Sequence, residues 1–134
     1  MDKIRLPDSD AGPADPRMAS YLRCEHHPQK ALIPRVMYVA AEADAMVGYI
    51  GGHLTRRYEC DGELQYLYVV PEHRRTGVAS EMLRSLWSWF QECDATRICV
   101  DVEPSNGRAR GFYMSHGASC LNSHWLVWPD IREQ

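Results

Sequence analysis

Glu63 to Val70, ELQYLYVV, limits the fold of this chain more than any other run. It is rich in aromatic and β-branched residues, and towards its end it is apolar on both faces. Such a strand belongs in the middle of a sheet. Pro71 ends it, and a helix follows in which Met82, Leu83, Leu86, Trp87 and Phe90 fall on one stripe. Next, RICVDV alternates, with Ile98, Val100 and Val102 on one face. PSNGRARGFYMSHGA then reads as a turn and a second helix closed by Gly117, and HWLVW as a last strand. Upstream, Val36 to Ala40 and Met46 to Leu54 flank the polar break EADA as an antiparallel hairpin, in which Gly48, Gly51 and Gly52 mark a bulge or a close backbone approach. Lys3 to Leu6 reads as a short strand and Arg17 to Cys24 as a weak helix. HHPQKALIP reads as a loop, because Pro28 and Pro34 interrupt regular structure. The sum is an α/β (α+β) layout, a mixed sheet flanked by helices. At 134 residues it forms a single domain, 1–134.

Composition removes several functional classes. The net charge of −3 provides no positive field for nucleic acid. No apolar run is long enough to span a bilayer or act as a signal peptide. Five cysteines, Cys24, Cys60, Cys93, Cys99 and Cys120, are scattered without a CxxC pair, which points to free thiols in a reducing cytoplasm. The six histidines show no metal-ligand spacing, so no metal is expected.

Between the central strand and its helix stands PEHRRTGVASEML. A helix starting near Val78 leaves its first N–H groups without intrahelical partners, and its dipole adds partial positive charge there. Gly77 and Ala79 let a ligand approach that backbone, and Arg74 and Arg75 supply forked, charged donors suited to phosphate oxygens. Such a junction is a pyrophosphate cradle; its alternative is a solvated basic turn.

VVPEHRRTGVA closely resembles the coenzyme A loop of the GNAT superfamily of acetyl-CoA-dependent N-acetyltransferases: Arg74, two residues, Gly77, one residue, Ala79. EPSNGRARGFYMSHGA is similar to the later motif of that family, an Asn ahead of a helix that carries Phe-Tyr. The resemblance runs from Val36 to about Gly117 and is weaker over the first 35 residues. It implies a mostly antiparallel mixed sheet with splayed central strands, acetyl-CoA as co-substrate, and a small-molecule or peptide amine as acceptor. It also implies roles. Arg74, Arg75, Thr76, Gly77, Val78, Ala79 and Ser80 would wrap the pyrophosphate. Leu67, Val69 and Val70 would lie along the pantetheine arm, with amides near Val69 and Val70 helping an oxyanion. Asn106 and Phe112 would meet the cofactor, and Tyr113 would be the general acid.

Glu63 lies eleven residues before Arg74, where the histone-acetylating branch of the superfamily holds a general base. The chemistry requires a base, since an alkylamine near pKa 10 arrives protonated. The plainer alternatives are that Glu63 caps an exposed strand end beside Asp61 and Gly62, and that Tyr113 is a core aromatic. His53 and His124 are further candidates to line the acceptor pocket. Arg56 and Arg57 read as a solvated loop face, Cys99 as a buried thiol, and Trp125 and Trp128 as core or dimer-interface packing, which leaves a homodimer open. A second function is compatible with the same residues: a non-catalytic acyl-CoA-binding regulatory module on this fold.

Overall fold

A computed structural model describes residues 3–5 and 32–134, with the strands and helices that follow. The strands are β1 (Lys3–Arg5), β2 (Leu32–Glu42), β3 (Ala45–Leu54), β4 (Gly62–Val69), β5 (Ile98–Asp101), β6 (Ser119–Cys120) and β7 (Trp125–Trp128). The helices are α1 (Val78–Glu92) and α2 (Gly107–Ser115). The expected Arg17–Cys24 helix lies outside the described residues. All seven strands form one sheet in the order β1-β2-β3-β4-β5-β7-β6. Among the described residues, only the β4–β5 pairing is parallel. As expected, ELQYLYVV is its middle strand.

The β2–β3 hairpin turns at Ala43–Asp44, with Glu42 paired to Ala45. One boundary differs from the sequence reading: β2 begins at Leu32, so Leu32–Pro34 is strand rather than loop. The ladder slips between Leu32 and Arg35, which accommodates the missing N–H of Pro34 as an irregularity instead of a break. β6 has no counterpart in the sequence reading, because two exposed residues offer no periodicity to read. The glycine-rich β3 does carry an irregularity, a register shift between Gly51 and Gly52.

Helix α1 packs its stripe of Val78, Met82, Leu83, Leu86, Trp87 and Phe90, all buried, onto β2, β3 and β4. Each such side chain contributes about 1.5–3 kcal/mol on burial. Phe90 sits directly over Gly62, where an added Cβ would come within 2.4 Å of its ring. The core continues through Ile98, Val100, Leu126 and Trp128, and Trp87 meets Trp128 edge-on at 4.8 Å.

The opposite face of the sheet is chemically different. Cross-strand register aligns Arg35 with His53, His53 with Glu63, Glu63 with Cys99, and Cys99 with Val127. Because side chains alternate along a strand, Leu64, Val100 and Leu126 point to α1 while Glu63, Cys99 and Val127 point away. A polar row therefore crosses the sheet on the side away from α1. Among the described residues, no helix is long and apolar enough to cross a membrane.

Candidate active site

Two irregularities of the central strand build the site. First, β4 pairs with β5 only through Gly62–Leu64. From Tyr66 to Val69 the β5-side edge of β4 has no strand partner among the described residues, so the two strands splay. Second, a short 3₁₀ turn at Pro71–His73 carries the chain to α1, which starts without a side-chain cap.

The backbone directions within the splay follow from the ladder. Val70 donates its N–H to Val47 O at 2.8 Å, and Val69 faces Gly48. Antiparallel residues alternate in hydrogen-bonding direction, so both the N–H and the C=O of Val69 point to the open, β5 side. Arg74 agrees with this, donating from Nε to Val69 O at 3.1 Å. Of the two amides expected near an oxyanion, the Val70 N–H is therefore occupied by β3, and Val69 alone is turned to the splay.

At the expected cradle the backbone takes unusual conformations. Gly77 caps α1 at φ 89°, ψ −1°, and an added Cβ would meet no atom within 4 Å. The nearby Arg75 is also left-handed, at φ 64°. Thr76 Oγ1 donates to His73 O, which fixes the turn. The first intrahelical bond found runs from Glu81 N to Gly77 O, leaving the amides of Val78, Ala79 and Ser80 as the unpaired first turn. Residues Arg74 to Gly77 are exposed. An exposed turn with free backbone donors and two arginines beside it in sequence is chemically compatible with a pyrophosphate.

Across the splay, Asn106 Oδ1 accepts from Ala109 N at 3.2 Å and caps α2, so only its NH₂ end remains for a ligand. Ser80 Oγ lies 3.1 Å from His116 Nε2, tying the first turn of α1 to the end of α2. The Phe112 ring stacks against His116 at 4.6 Å. Tyr113 is buried and meets Trp128 edge-on at 5.5 Å, and burial pushes its phenol well above the usual range. It is thus a core aromatic as well as a candidate acid. Leu67 is half-buried at the rim of the core.

Glu63 is not an exposed strand end: it is only 4% exposed. Burial, opposed by Arg57 and assisted by Asp101, raises its carboxyl to about 7. Arg57 Nε lies 3.4 Å from Oε1, and His53 Nε2 lies 3.9 Å from Oε2. His53 is fully buried, and desolvation lowers its pKa, so the ring is neutral at pH 7. Its Nδ1–H donates to Leu54 O at 2.8 Å, while Nε2 faces Gln65 Oε1 at 3.1 Å. His124 instead sits exposed just ahead of β7, its Nδ1 4.0 Å from Asp101 at the end of β5. Arg57 corrects the sequence reading: its side chain is 13% exposed and stacks on the Trp125 ring, 4.6 Å from the centroid. Trp125 and Trp128 are both buried, Trp128 in the main core and Trp125 beneath Arg57. Among the described residues, no cluster of His, Cys, Asp or Glu could hold a metal ion.

Comparison with known proteins gives this geometry a lineage. The sequence model of the Acetyltransferase (GNAT) family matches residues 6–118. The chain belongs to the GNAT family. Uncharacterized N-acetyltransferases of Mycobacterium tuberculosis and Mycobacterium bovis are 30% identical to it over 108 residues, 81% of this chain and 63% of theirs. This GNAT chain thus spans under two thirds of the length of those curated relatives. An acetyltransferase from Thermus thermophilus shares the fold at TM-score 0.68 and 19% identity, over 84% of this chain and 71% of that one. The PaiA N-acetyltransferase of Thermoplasma acidophilum, solved in complex with coenzyme A, shares it at TM-score 0.65 and 14% identity, over 83% and 65%. Both have the same sheet flanked by helices, at identities that speak for the fold alone.

Proposed function

We propose that this GNAT chain is an N-acetyltransferase that moves the acetyl group of acetyl-CoA to a primary amine by direct attack within a ternary complex. One observation carries the reading: a single strand leads from a buried carboxylate, Glu63, along an unpaired edge to an uncapped helix start at Gly77. The coenzyme A bound by the Thermoplasma relative supports the choice of co-substrate. Acetyl-CoA supplies the activated acyl group as a thioester. The amides of Val78, Ala79 and Ser80 with Arg74 and Arg75 would hold its pyrophosphate, and the edge of Leu67 to Val69 would pair with the pantetheine.

Glu63, with a carboxyl near 7, can take the proton of an arriving ammonium and still be ionised for part of the time at neutral pH. The Val69 N–H would donate to the carbonyl oxygen as negative charge develops there. Burial raises the Tyr113 phenol, so it keeps its proton at any physiological pH but is a weak donor to a departing thiolate near pKa 8.5, and its contribution as the acid is modest. A covalent route through Cys99 is disfavoured: the hydrogen-bonded thiol of Cys60 and burial push its thiol up, so a thiolate is scarce.

The test is thiol release from acetyl-CoA across a panel of peptide N-termini, lysines, polyamines and aminoglycosides. Amine-dependent release with a matching mass gain of one acetyl group is expected. Tight coenzyme A binding with no release for any amine would favour the non-catalytic module. Tyr113→Phe should lower kcat by about 10²-fold, the lower end for an acid–base group, because a thiol near pKa 8.5 leaves tolerably without help. Coenzyme A affinity should be unchanged, and raising the pH should give no rescue.

A further inference from the structure

The loop that joins β3 to β4 is built with more care than a connection needs. Thr55 N donates to Asp61 O at 3.0 Å and its Oγ1 accepts from Arg57 N at 3.1 Å, closing the loop on itself. Cys60 N donates to Arg57 O at 2.9 Å. Tyr58 and Glu59 are both held in the left-handed region, at φ 53° and 61°, which non-glycine residues avoid unless their surroundings impose it. Tyr58 packs edge-on to Trp125 at 5.3 Å. The outcome of these contacts is the placement of one side chain. Arg57 lies on the Trp125 ring and extends to Glu63.

We propose that Arg57, held between the Trp125 ring and the Glu63 carboxylate, is a positioning residue that orients Glu63 and keeps it in its working, anionic form. This rests on Glu63 being the base of the proposed reaction. The groups that face Glu63 come from three elements: Arg57 from the loop, His53 from β3, and Cys99 and Asp101 from β5. Arg35 stands beyond His53 in the same cross-strand row. His53 is neutral at pH 7 and Asp101 repels a second negative charge, so among the described residues Arg57 is the cation in direct contact with the carboxylate. Desolvation alone would leave a buried carboxyl protonated at neutral pH, and a fixed guanidinium at 3.4 Å offsets that. The aromatic platform fixes where the charge sits: cation–π contact holds the planar guanidinium in place, and a lysine ammonium would not be oriented in the same way.

The test titrates the Glu63 carboxyl by carbon-detected NMR and measures kcat/KM against pH, in the wild type, Arg57→Met and Arg57→Lys. In Arg57→Met, which keeps the apolar stem on Trp125, the Glu63 midpoint should move up from about 7 by roughly 1–3 pH units. The rate profile should move with it, so that kcat/KM at pH 7 falls about 5-fold or more and recovers on the alkaline side. Arg57→Lys should move both less. Should Arg57→Met fail to fold, Trp125→Leu leaves the charge but removes its platform, and should shift the midpoint in the same direction by less. An unmoved Glu63 midpoint in a folded Arg57→Met protein overturns the proposal. A midpoint that moves while the rate profile stays supports the control of Glu63 by Arg57 and overturns Glu63 as the base.

Discussion

Gly77→Val is expected to abolish coenzyme A binding while leaving the protein folded. At φ 89° the residue occupies the left-handed region, and a β-branched side chain there is disfavoured by about 1–2 kcal/mol. Nothing lies within 4 Å of the position a Cβ would take, so the substitution clashes with no part of the protein. The new side chain instead occupies open space at the start of α1, next to the residues whose amides, Val78, Ala79 and Ser80, form its first turn. Should the loop relax to escape the strain, Arg75 and Gly77 leave the conformations that bring those amides together. Either response removes several hydrogen bonds at once, and a loss of at least 100-fold in affinity, about 2.7 kcal/mol, is expected. Arg75→Ala removes one charge-assisted contact and should cost about 1.5–3 kcal/mol, with the remainder of the cradle intact. Calorimetric titration of coenzyme A into both variants, alongside melting curves, measures the two effects separately. Unchanged affinity in a folded Gly77→Val protein would rule out the cradle.

How far the sequence reveals this site depends on whether a residue's environment is local. The α1 stripe is legible because six buried positions recur on one helical face within a single element. The proposed cradle is legible because its glycine, its two arginines and its helix start are neighbours in sequence at one strand-to-helix junction. Glu63 can be placed on its strand by counting, but its burial and raised carboxyl depend on strands that pack beside it. Arg57 reads wrongly as solvated for the same reason. Nothing near it in sequence is apolar enough to cover it, and its partner Trp125 arrives from β7 at the far end of the chain. The RRYE run gives no hint of left-handed backbone at Tyr58 and Glu59, since neither is a residue that prefers it. Direction within a ladder is equally hidden. That the Val70 amide is committed to Val47 while Val69 turns to the splay follows only from the register of β3 against β4.

Replacing the proposed base should reveal a physical conflict between burial and charge at Glu63. Glu63→Gln is nearly isosteric and lacks the proton-accepting charge, so kcat/KM at pH 7 should fall by roughly 10²–10⁴-fold. The wild-type rate should climb with pH through about 7 as the carboxylate forms. The variant should lose that step and rise steadily instead, because an alkylamine near pKa 10.4 is about 100-fold more abundant as free amine at pH 9 than at pH 7. Stability should respond in the opposite sense. The folded carboxyl, near 7, lies above its value in the unfolded chain, so the folded state holds a proton that the unfolded state has released between about pH 4.5 and 7. Stability from this group is therefore complete below that window and declines as pH rises through it. The amide of the variant does not titrate and escapes the decline. Melting curves should show Glu63→Gln gaining on the wild type from pH 5 to pH 8, by on the order of 2 kcal/mol. A variant that is slower and, above neutrality, more stable identifies a carboxylate kept buried for its chemistry. If Glu63→Gln instead matches the wild-type rate across the neutral range, the base lies elsewhere, and His53, its neighbour in the row, becomes the group to replace next.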